Sequence, residues 1–397
     1  MNRKYVIVVP DGAADKPLPV FGGKTIFEAA LKPNMDAIAM SGRQGLSHTI
    51  PPFMPAGSDV AMMAVLGYNP SEYYSGRAPI EAVAQGIDVT NDDWIFRCNL
   101  VTIADEKMAD HSAGHISSEE GKILIGELNH IFGNDQLRFY PGVGYRHLMV
   151  VRGNDFSSLS TQPPHDMIGR KIISILPRGK NSEFPITLIL KSRDVFRNHE
   201  INLARKNLGK NEASTIWLWG QGKKSRMEAF EKKYGLRGAA ITAVDLVKGL
   251  AKLIGFDWIN VDGATGYFDT NYRAKGLAAI DALKKYDIVL VHVEAPDEAG
   301  HAGDAAIKKK AVEEIDTHIV GPILTELKKY DHWRILVMPD HPTSVLTRGH
   351  SGEPIPFAMA GEGITSNIHL PLSEANAAKT GISFTNGFEL MESFLRK

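Results

Sequence analysis

Short apolar runs rich in β-branched residues alternate along the chain with longer segments whose apolar positions recur every three to four residues. KYVIVVPDG near the start is a continuous apolar run closed by a turn, the pattern of a strand buried on both faces. TIFEAALKPNMDAIAMSG follows with helical spacing and a break at Lys32-Pro33, because a residue before proline is disfavoured in the helical region. The pattern returns late in the chain. DWINVDG precedes RAKGLAAIDALKKY as a helix and DIVLVHVEAPD as a strand, and AAIKKKAVEEIDTHIVGPILTELKKY is a long helix before the strand WRILVMPDHP. Such alternation predicts an α/β fold on a parallel sheet covered on both faces.

From about residue 100 to about 205 the pattern changes. Turn signals are dense in FYPGVGYRH, STQPPHD and LPRGKNSEFP, with strand-like pieces such as HLMVVRG and ITLILKS between them. This stretch reads as a smaller α+β domain, 100–205, inserted into a discontinuous domain of 1–99 and 206–397. Regular alternation is expected to resume at ASTIWLWGQG.

Composition narrows the function classes. The chain has 397 residues, is 43% hydrophobic and 23% charged, and carries a formal net charge of −1, which favours neither nucleic acid nor a membrane surface. No apolar run approaches the ~18 residues of a membrane span. The first apolar run ends in Pro-Asp-Gly without a small-residue cleavage site, so it reads as a strand rather than a signal peptide. Cys98 is the only cysteine, which excludes an internal disulfide and fits a cytoplasmic protein. Cys98, Trp217 and Trp219 are expected in the core, and KKKAVEE and ELKKYD on solvated helix faces.

Three apolar runs end alike, in VIVVP-Asp11, IVLVHVEAP-Asp297 and ILVMP-Asp340. Ligands of an open parallel sheet bind outside the carboxyl ends of its strands, so these carboxylates are expected along one edge. A single Asp after a strand is a turn former, but three together repel unless a cation lies between them. His301 follows Asp297 by four residues, about one helical turn, so both can face one ion. His341 follows Asp340 directly, and His350 lies nine residues further on in RGHSGEPIPF. The candidate ligand sets are therefore Asp297, His301 and His350, and Asp11, Asp340 and His341 with Ser58 as a fourth member. Mixed imidazole and carboxylate donors suit Mn2+ or Zn2+ better than Ca2+. Two adjacent ions can bind a phosphoryl group and lower a hydroxyl pKa. Ser58, in PAGSDVAMMAVLGY, is ordinarily an N-cap, yet a helix-end hydroxyl beside metal is also a nucleophile placed to meet phosphate, and the two roles are compatible. Asp59 suits the helix dipole.

In order and spacing, VVPDG, PAGSDVA, APDEAGH, MPDHP and GHSGEPIPF resemble the alkaline phosphatase superfamily and, within it, the cofactor-independent phosphoglycerate mutases. The chain length, SGRAPIEA, FRCNLVTI, the loop leading to GHIS, and GATGYFDTNY are similar to the short, archaeal-type branch. The resemblance implies a parallel-sheet, alkaline-phosphatase-like α/β core with an inserted α+β domain that closes over a small phosphorylated substrate and excludes water. It implies two divalent ions, Mn2+ first, with Zn2+, Co2+ or Mg2+ as alternatives. It further implies transfer of phosphate to Ser58 and back to the other hydroxyl of phosphoglycerate, with no 2,3-bisphosphoglycerate. HSAGHISSEE, FYPGVGYRHLMVV, TQPPHDMIG, NHEINLAR and WLWGQGK resemble a bacterial subgroup proposed to include homoserine kinases. An ATP-dependent homoserine phosphotransferase, or a phosphomonoesterase, is therefore the alternative use of the same motifs. No GxxxxGK[ST] loop is present, although a kinase built this way does not need one.

Substrate contacts are sought among cationic residues. Arg77 in SGRAPIEA is a bidentate anion binder or a surface ion pair. Arg97 lies in an apolar run, a costly place for an unpaired charge, and is expected to meet a substrate anion rather than form a structural ion pair. His115, which with His111 flanks Ser112-Ala113-Gly114, is the expected substrate-side imidazole or a turn residue. Arg146, beside His147, binds a carboxylate or closes a strand. His165 reads as loop, and Lys223 as a phosphate contact or an exposed charge.

Overall fold

The structure, a computed structural model, describes residues 3–396. The chain divides into two compact units, Met1–Tyr74 with Arg226–Lys397, and Ser75–Ser225.

The first unit is built on an eight-stranded sheet in the order Ser383–Phe384, Arg43–Ser47, Ile355–Gly361, His332–Val337, Arg3–Pro10, Ile288–Val293, Gly238–Ile241, Asp257–Ile259. Strands 332–337 through 257–259 run parallel. Ile355–Gly361 runs antiparallel to the parallel strand His332–Val337 and to Arg43–Ser47, so the sheet is mixed where the alternation predicted a parallel one. Arg3–Pro10 is central, and Val6, Ile7, Val8 and Val9 are fully buried, each contributing about 1.5–3 kcal/mol. Its neighbours are Ile288–Val293 and His332–Val337, so three adjacent strands end on one edge, just before Asp11, Asp297 and Asp340.

The break at Lys32-Pro33 separates the short helix Ile26–Ala29 from Pro33–Ser41. The second of these has no side-chain cap of its own. The Asp316 carboxylate accepts from Met35 N–H (2.7 Å) and Asn34 N–H (3.2 Å), satisfying donors that a helix start leaves free. Asp316 is available because the long helix continues from Ala305–Ile315 through a π turn, Asp316–Val320, into Gly321–Leu327.

The second unit is α+β, and its limits differ from 100–205. Its central strand, Trp94–Ala104, is paired antiparallel with Arg146–Val151 and with Thr215–Lys223. Boundaries at 99/100 and 205/206 would cut this strand and strip it of a partner. ASTIWLWGQG therefore does not resume the first unit: Trp217 faces Asn99 and Trp219 faces Arg97 across the ladder. Continuous apolar strands look alike in either unit, and the pairing is nonlocal. ITLILKS is helix, within Glu183–Arg197, and not strand. Pro185, Leu188, Ile189, Ser192 and Phe196 are buried at helical spacing, while Leu190 is exposed, so the 3.6-residue period overrides the β-branched residues. Trp217, Trp219 and Cys98 lie in the core of this unit. Among the described residues no helix is long and apolar enough to cross a membrane.

Candidate metal centre and nucleophile

The turn after the central strand brings the edge residues together. Gly12 has φ +62°, and a Cβ there would lie 2.5 Å from Thr343 Oγ1 and 2.6 Å from Asp297 Oδ1. Only glycine takes this conformation while letting its backbone pass so close. Gly12 N–H also donates to Asp340 Oδ1 at 3.1 Å, as does His341 N–H at 2.9 Å.

Two sets of donors result. Asp297 and His301 sit one turn apart on the helix Ala295–Ala302, and the short strand Gly349–His350 adds His350. His301 Nε2 lies 3.3 Å from Asp297 Oδ2 and 2.8 Å from His350 Nε2, which is 3.4 Å from Asp297 Oδ1. In the second set, His341 Nε2 is 3.7 Å from Asp11 Oδ1 and 3.4 Å from Asp340 Oδ2, and all three residues are fully buried. The sets adjoin. The His341 and His350 rings are 4.2 Å apart, and Thr343 Oγ1 bonds Asp297 Oδ1 while lying 3.2 Å from His341 Nδ1.

Ser58 is the first residue of the helix Ser58–Val65, with Gly57 in the cap position and no side-chain cap. Its hydroxyl is therefore not an N-cap: Oγ lies 3.0 Å from His341 Nε2, inside the second set. Asp59 is buried and accepts a hydrogen bond from Tyr74 Oη at 2.7 Å.

The electrostatics suit a cation. Asp11 Oδ1 and Asp340 Oδ2 are buried and have no hydrogen-bond partner among the described residues, a costly state for charged oxygens. Burial pushes the Asp11 carboxyl well above the usual range, and Asp340, Glu294 and Asp297 push it further. Burial acts the same way on Asp297, but hydrogen bonds from His301 and His350 outweigh it and hold that carboxyl low. The Asp297 hydrogen bond raises His301 to about 9, and burial lowers His341. Oxygen and imidazole donors within 4.8 Å of one another in each set fit a divalent ion, which would relieve the repulsion.

Two buried groups behind the centre escape the sequence reading. Lys308, in the run expected on a solvated face, is fully buried. Its Nζ donates to Asp15 Oδ2 (2.9 Å), Ala14 O (3.2 Å) and Thr343 O, tying the loop after Asp11 to the loop after His341. A lysine run carries no signal for which member faces inward. His292, in a strand interior, contacts Asp11, and Glu294 completes a third grouping with them. The one available signal is its place five residues before Asp297.

The cationic residues singled out from the sequence fall in the second unit. Glu81, buried on the helix Arg77–Gln85, accepts a hydrogen bond from Arg77 Nε at 3.1 Å and forms an ion pair with Arg97, whose Nε is 2.9 Å away. Burial would raise its pKa, but Arg97 and Arg77 outweigh that and Arg146 adds to them. Burial lowers Arg97 to about 10 against the pull of Glu81, with Arg77 and Arg146 lowering it further. The Arg97 guanidinium lies 4.4 Å from the Trp219 ring and that of Arg146 5.3 Å from Tyr145. Arg77 and Arg97 thus share one carboxylate, whose pKa the charge of Arg146 also lowers. His165 also joins this cluster, 5.5 Å from Trp219 and 6.1 Å from His111, which packs on Tyr145. Burial lowers His165 to about 4, opposed by Asp166 and reinforced by Arg77 and Arg97. His115 is exposed on the adjoining turn at φ +49°. Lys223 lies elsewhere, 5.6 Å from the Trp94 ring and 4.0 Å from Asp92.

Comparison with known proteins places this architecture. A family model described as 2,3-bisphosphoglycerate-independent phosphoglycerate mutase matches residues 39–202. The curated protein of that name from Methanosarcina barkeri is 50% identical, over 95% of this chain and 95% of its own. The one from Geobacter sulfurreducens, named as a probable enzyme of this kind, is 45% identical over 99% of each. Among solved structures, the PH0037 protein of Pyrococcus horikoshii superposes with a TM-score of 0.81 at 28% identity, covering 100% of this chain and 98% of its own. The cofactor-independent phosphoglycerate mutase of Thermoplasma acidophilum gives 0.68 at 25% identity over 99% of each. The chain therefore belongs to the family of 2,3-bisphosphoglycerate-independent phosphoglycerate mutases.

Proposed function

We propose that the chain interconverts 2- and 3-phosphoglycerate through a phosphoserine at Ser58, with two divalent ions and without 2,3-bisphosphoglycerate. The observation that carries this reading is Ser58 Oγ, free of any capping bond and 3.0 Å from His341 Nε2 at the head of a helix. Asp297, His301 and His350 would hold one ion, and Asp11, Asp340 and His341, with Ser58, the other. Bound there, the ions lower the pKa of the Ser58 hydroxyl and neutralise charge on the transferring phosphoryl group. Ser58 Oγ attacks phosphorus, the bond to the substrate oxygen breaks, and the proton lost by Ser58 ends on that oxygen. The helix N-terminus favours the resulting phosphate. Glycerate reorients, and its other hydroxyl takes the phosphoryl group back. Arg77, Arg97 and Arg146 exceed the charge of Glu81 and suit the carboxylate and phosphate of such a substrate, with His115 and Lys223 as further contacts. The donor set suits Mn2+, and the single cysteine suits the cytoplasm.

The test is 31P NMR of Mn2+-loaded protein with 3-phosphoglycerate, without bisphosphoglycerate or nucleotide, beside Ser58→Ala. The expected result is a 2-phosphoglycerate resonance that the variant does not produce. Free phosphate alone would make the protein a phosphatase. An unchanged spectrum, followed by turnover on adding ATP and homoserine, would make it a kinase.

A further inference from the structure

We propose that His292 is a positioning residue that fixes which oxygen of Asp11 faces the metal centre. The inference rests on the metal-centre reading above and goes one layer behind it.

His292 is fully buried on the strand Ile288–Val293, opposite Val9 of the central strand and two residues from the point where Asp11 leaves it. His292 Nε2 lies 2.7 Å from Asp11 Oδ2. Asp11, ionised as a metal ligand, only accepts at its oxygens, so Nε2–H donates. The other ring nitrogen is settled by its own neighbour. His292 Nδ1 is 3.2 Å from Thr242 Oγ1, and that hydroxyl already accepts from Val244 N–H at 3.1 Å. A neutral imidazole that donates from Nε2 accepts at Nδ1, so the single proton of that hydroxyl is directed there. The chain runs from Val244 N–H to Thr242 Oγ1–H to His292 Nδ1, and from Nε2–H to Asp11 Oδ2. It fixes both tautomer and ring orientation.

The consequence appears on the far side of Asp11. With Oδ2 held by His292, Oδ1 is the oxygen turned toward His341, and it is buried without a hydrogen-bond partner among the described residues. Outer hydrogen bonds of this kind set the direction and basicity of a ligating carboxylate.

A rival reading makes His292 a ligand itself, since a donor atom each of Asp11, His292 and Glu294 lie within 4.8 Å of one another. Two observations oppose it. Nε2 is engaged with Asp11, and the fully buried Lys275 donates to His292 O at 3.1 Å, so a cation already stands against this residue.

The experiment is titration of the metal-stripped full chain with Mn2+ alone, counting equivalents and affinities for wild type, H292L, H292Q and T242V. We expect two equivalents in wild type. H292L should weaken one by about 10- to 100-fold and leave the other unchanged. H292Q, whose amide N–H can replace Nε2–H, should retain most of that affinity, which a general packing defect would not allow. T242V should show a smaller, selective loss and carries the comparison should H292L not fold. A third Mn2+ equivalent in wild type that both His292 variants lose would overturn the proposal and make His292 a ligand. Two equivalents unchanged in H292L and T242V would overturn it while sparing the metal centre. Uptake of no ion by wild type would remove the centre itself and this inference with it.

Discussion

The two units gather charge in opposite ways. In the first, carboxylates converge from three adjacent strand ends: Asp297 is balanced by His301 and His350, but Asp11 Oδ1 and Asp340 Oδ2 have no hydrogen-bond partner among the described residues. In the second, cations converge around an internal anion, as Arg77 and Arg97 both reach Glu81. A centre left short of counter-charge at Asp11 and Asp340 suits an added cation. A cluster that is only partly compensated can hold its shape alone and still attract an anion. The two units should therefore answer differently to loss of a single charge.

The largest effect is expected at Asp340. Asp340→Asn removes one of the repelling buried carboxylates and one candidate ligand. Activity with Mn2+ should fall by on the order of 10^3-fold, the scale of losing a preorganised charge-stabilising group. The metal-free protein should instead melt at a higher temperature than metal-free wild type, because Asp11 is relieved of a like charge. Calorimetry of both stripped proteins checks this, and a lower melting temperature for the variant would show that the carboxylates are not in conflict.

Glu81 should behave in the reverse sense. Glu81→Ala leaves Arg97, which is 5% exposed, without its carboxylate. Breaking a buried pair from one side costs about 3–5 kcal/mol. Three of the five tryptophans, Trp94, Trp217 and Trp219, lie in the second unit, so urea unfolding followed by their fluorescence reports on it. A loss below about 1 kcal/mol would mean that Arg97 is rescued by water or another partner, and that Glu81 does not organise the cluster.

This contrast explains what was legible in the sequence. In a parallel sheet, residues after successive strands share an edge, so Asp11, Asp297 and Asp340 could be grouped by reading strand ends alone. His301 lies one helical turn from Asp297, and His341 lies beside Asp340, so local geometry reached them too. The second unit offers no such rule. Arg77 comes from a helix, Arg97 and Arg146 from antiparallel strands, and His165 from a 3-10 turn, and only their tertiary pairing brings them together. The antiparallel partner Thr215–Lys223 lies more than a hundred residues from Trp94–Ala104, too far for local patterning to place it in this unit. Buried polar groups behind a site were hidden for another reason. His292 has the pattern of a core residue, and Lys308 that of a surface one, until their partners are known.

Acid should separate the units further. Burial lowers His147, in the second unit, to about 3, while an unfolded histidine titrates near 6.5. The unfolded chain therefore binds the proton first, and stability is lost as pH falls from about 6.5 toward 3. At pH 5 this amounts to about 2 kcal/mol. His147→Gln should flatten that part of the tryptophan-reported stability curve, at the cost of perturbing the Gly142 N–H bond to Nδ1. Curves that stay parallel between pH 5 and pH 7 would mean that His147 is not the group responsible.

The smallest structural effect, and the sharpest test of where the substrate reading extends, is at Lys223. Its side chain is 41% exposed, and its only carboxylate neighbour among the described residues, Asp92, is 96% exposed at 4.0 Å. An ion pair this open contributes about 0–1 kcal/mol, and its contact with the Trp94 ring adds a similarly small amount. Lys223→Met keeps the aliphatic stem over Trp94 and removes only the charge, so the unfolding midpoint should barely move. Because nothing within the unit holds the ammonium strongly, a role in binding anionic substrate would appear almost purely as a rise in KM, with stability unchanged. That separation distinguishes it from Arg97, where loss of charge disturbs the buried pair with Glu81 whatever it does to binding. We expect KM for 3-phosphoglycerate to rise several-fold in Lys223→Met. A KM equal to that of wild type would confine the substrate contacts of the second unit to the arginine cluster.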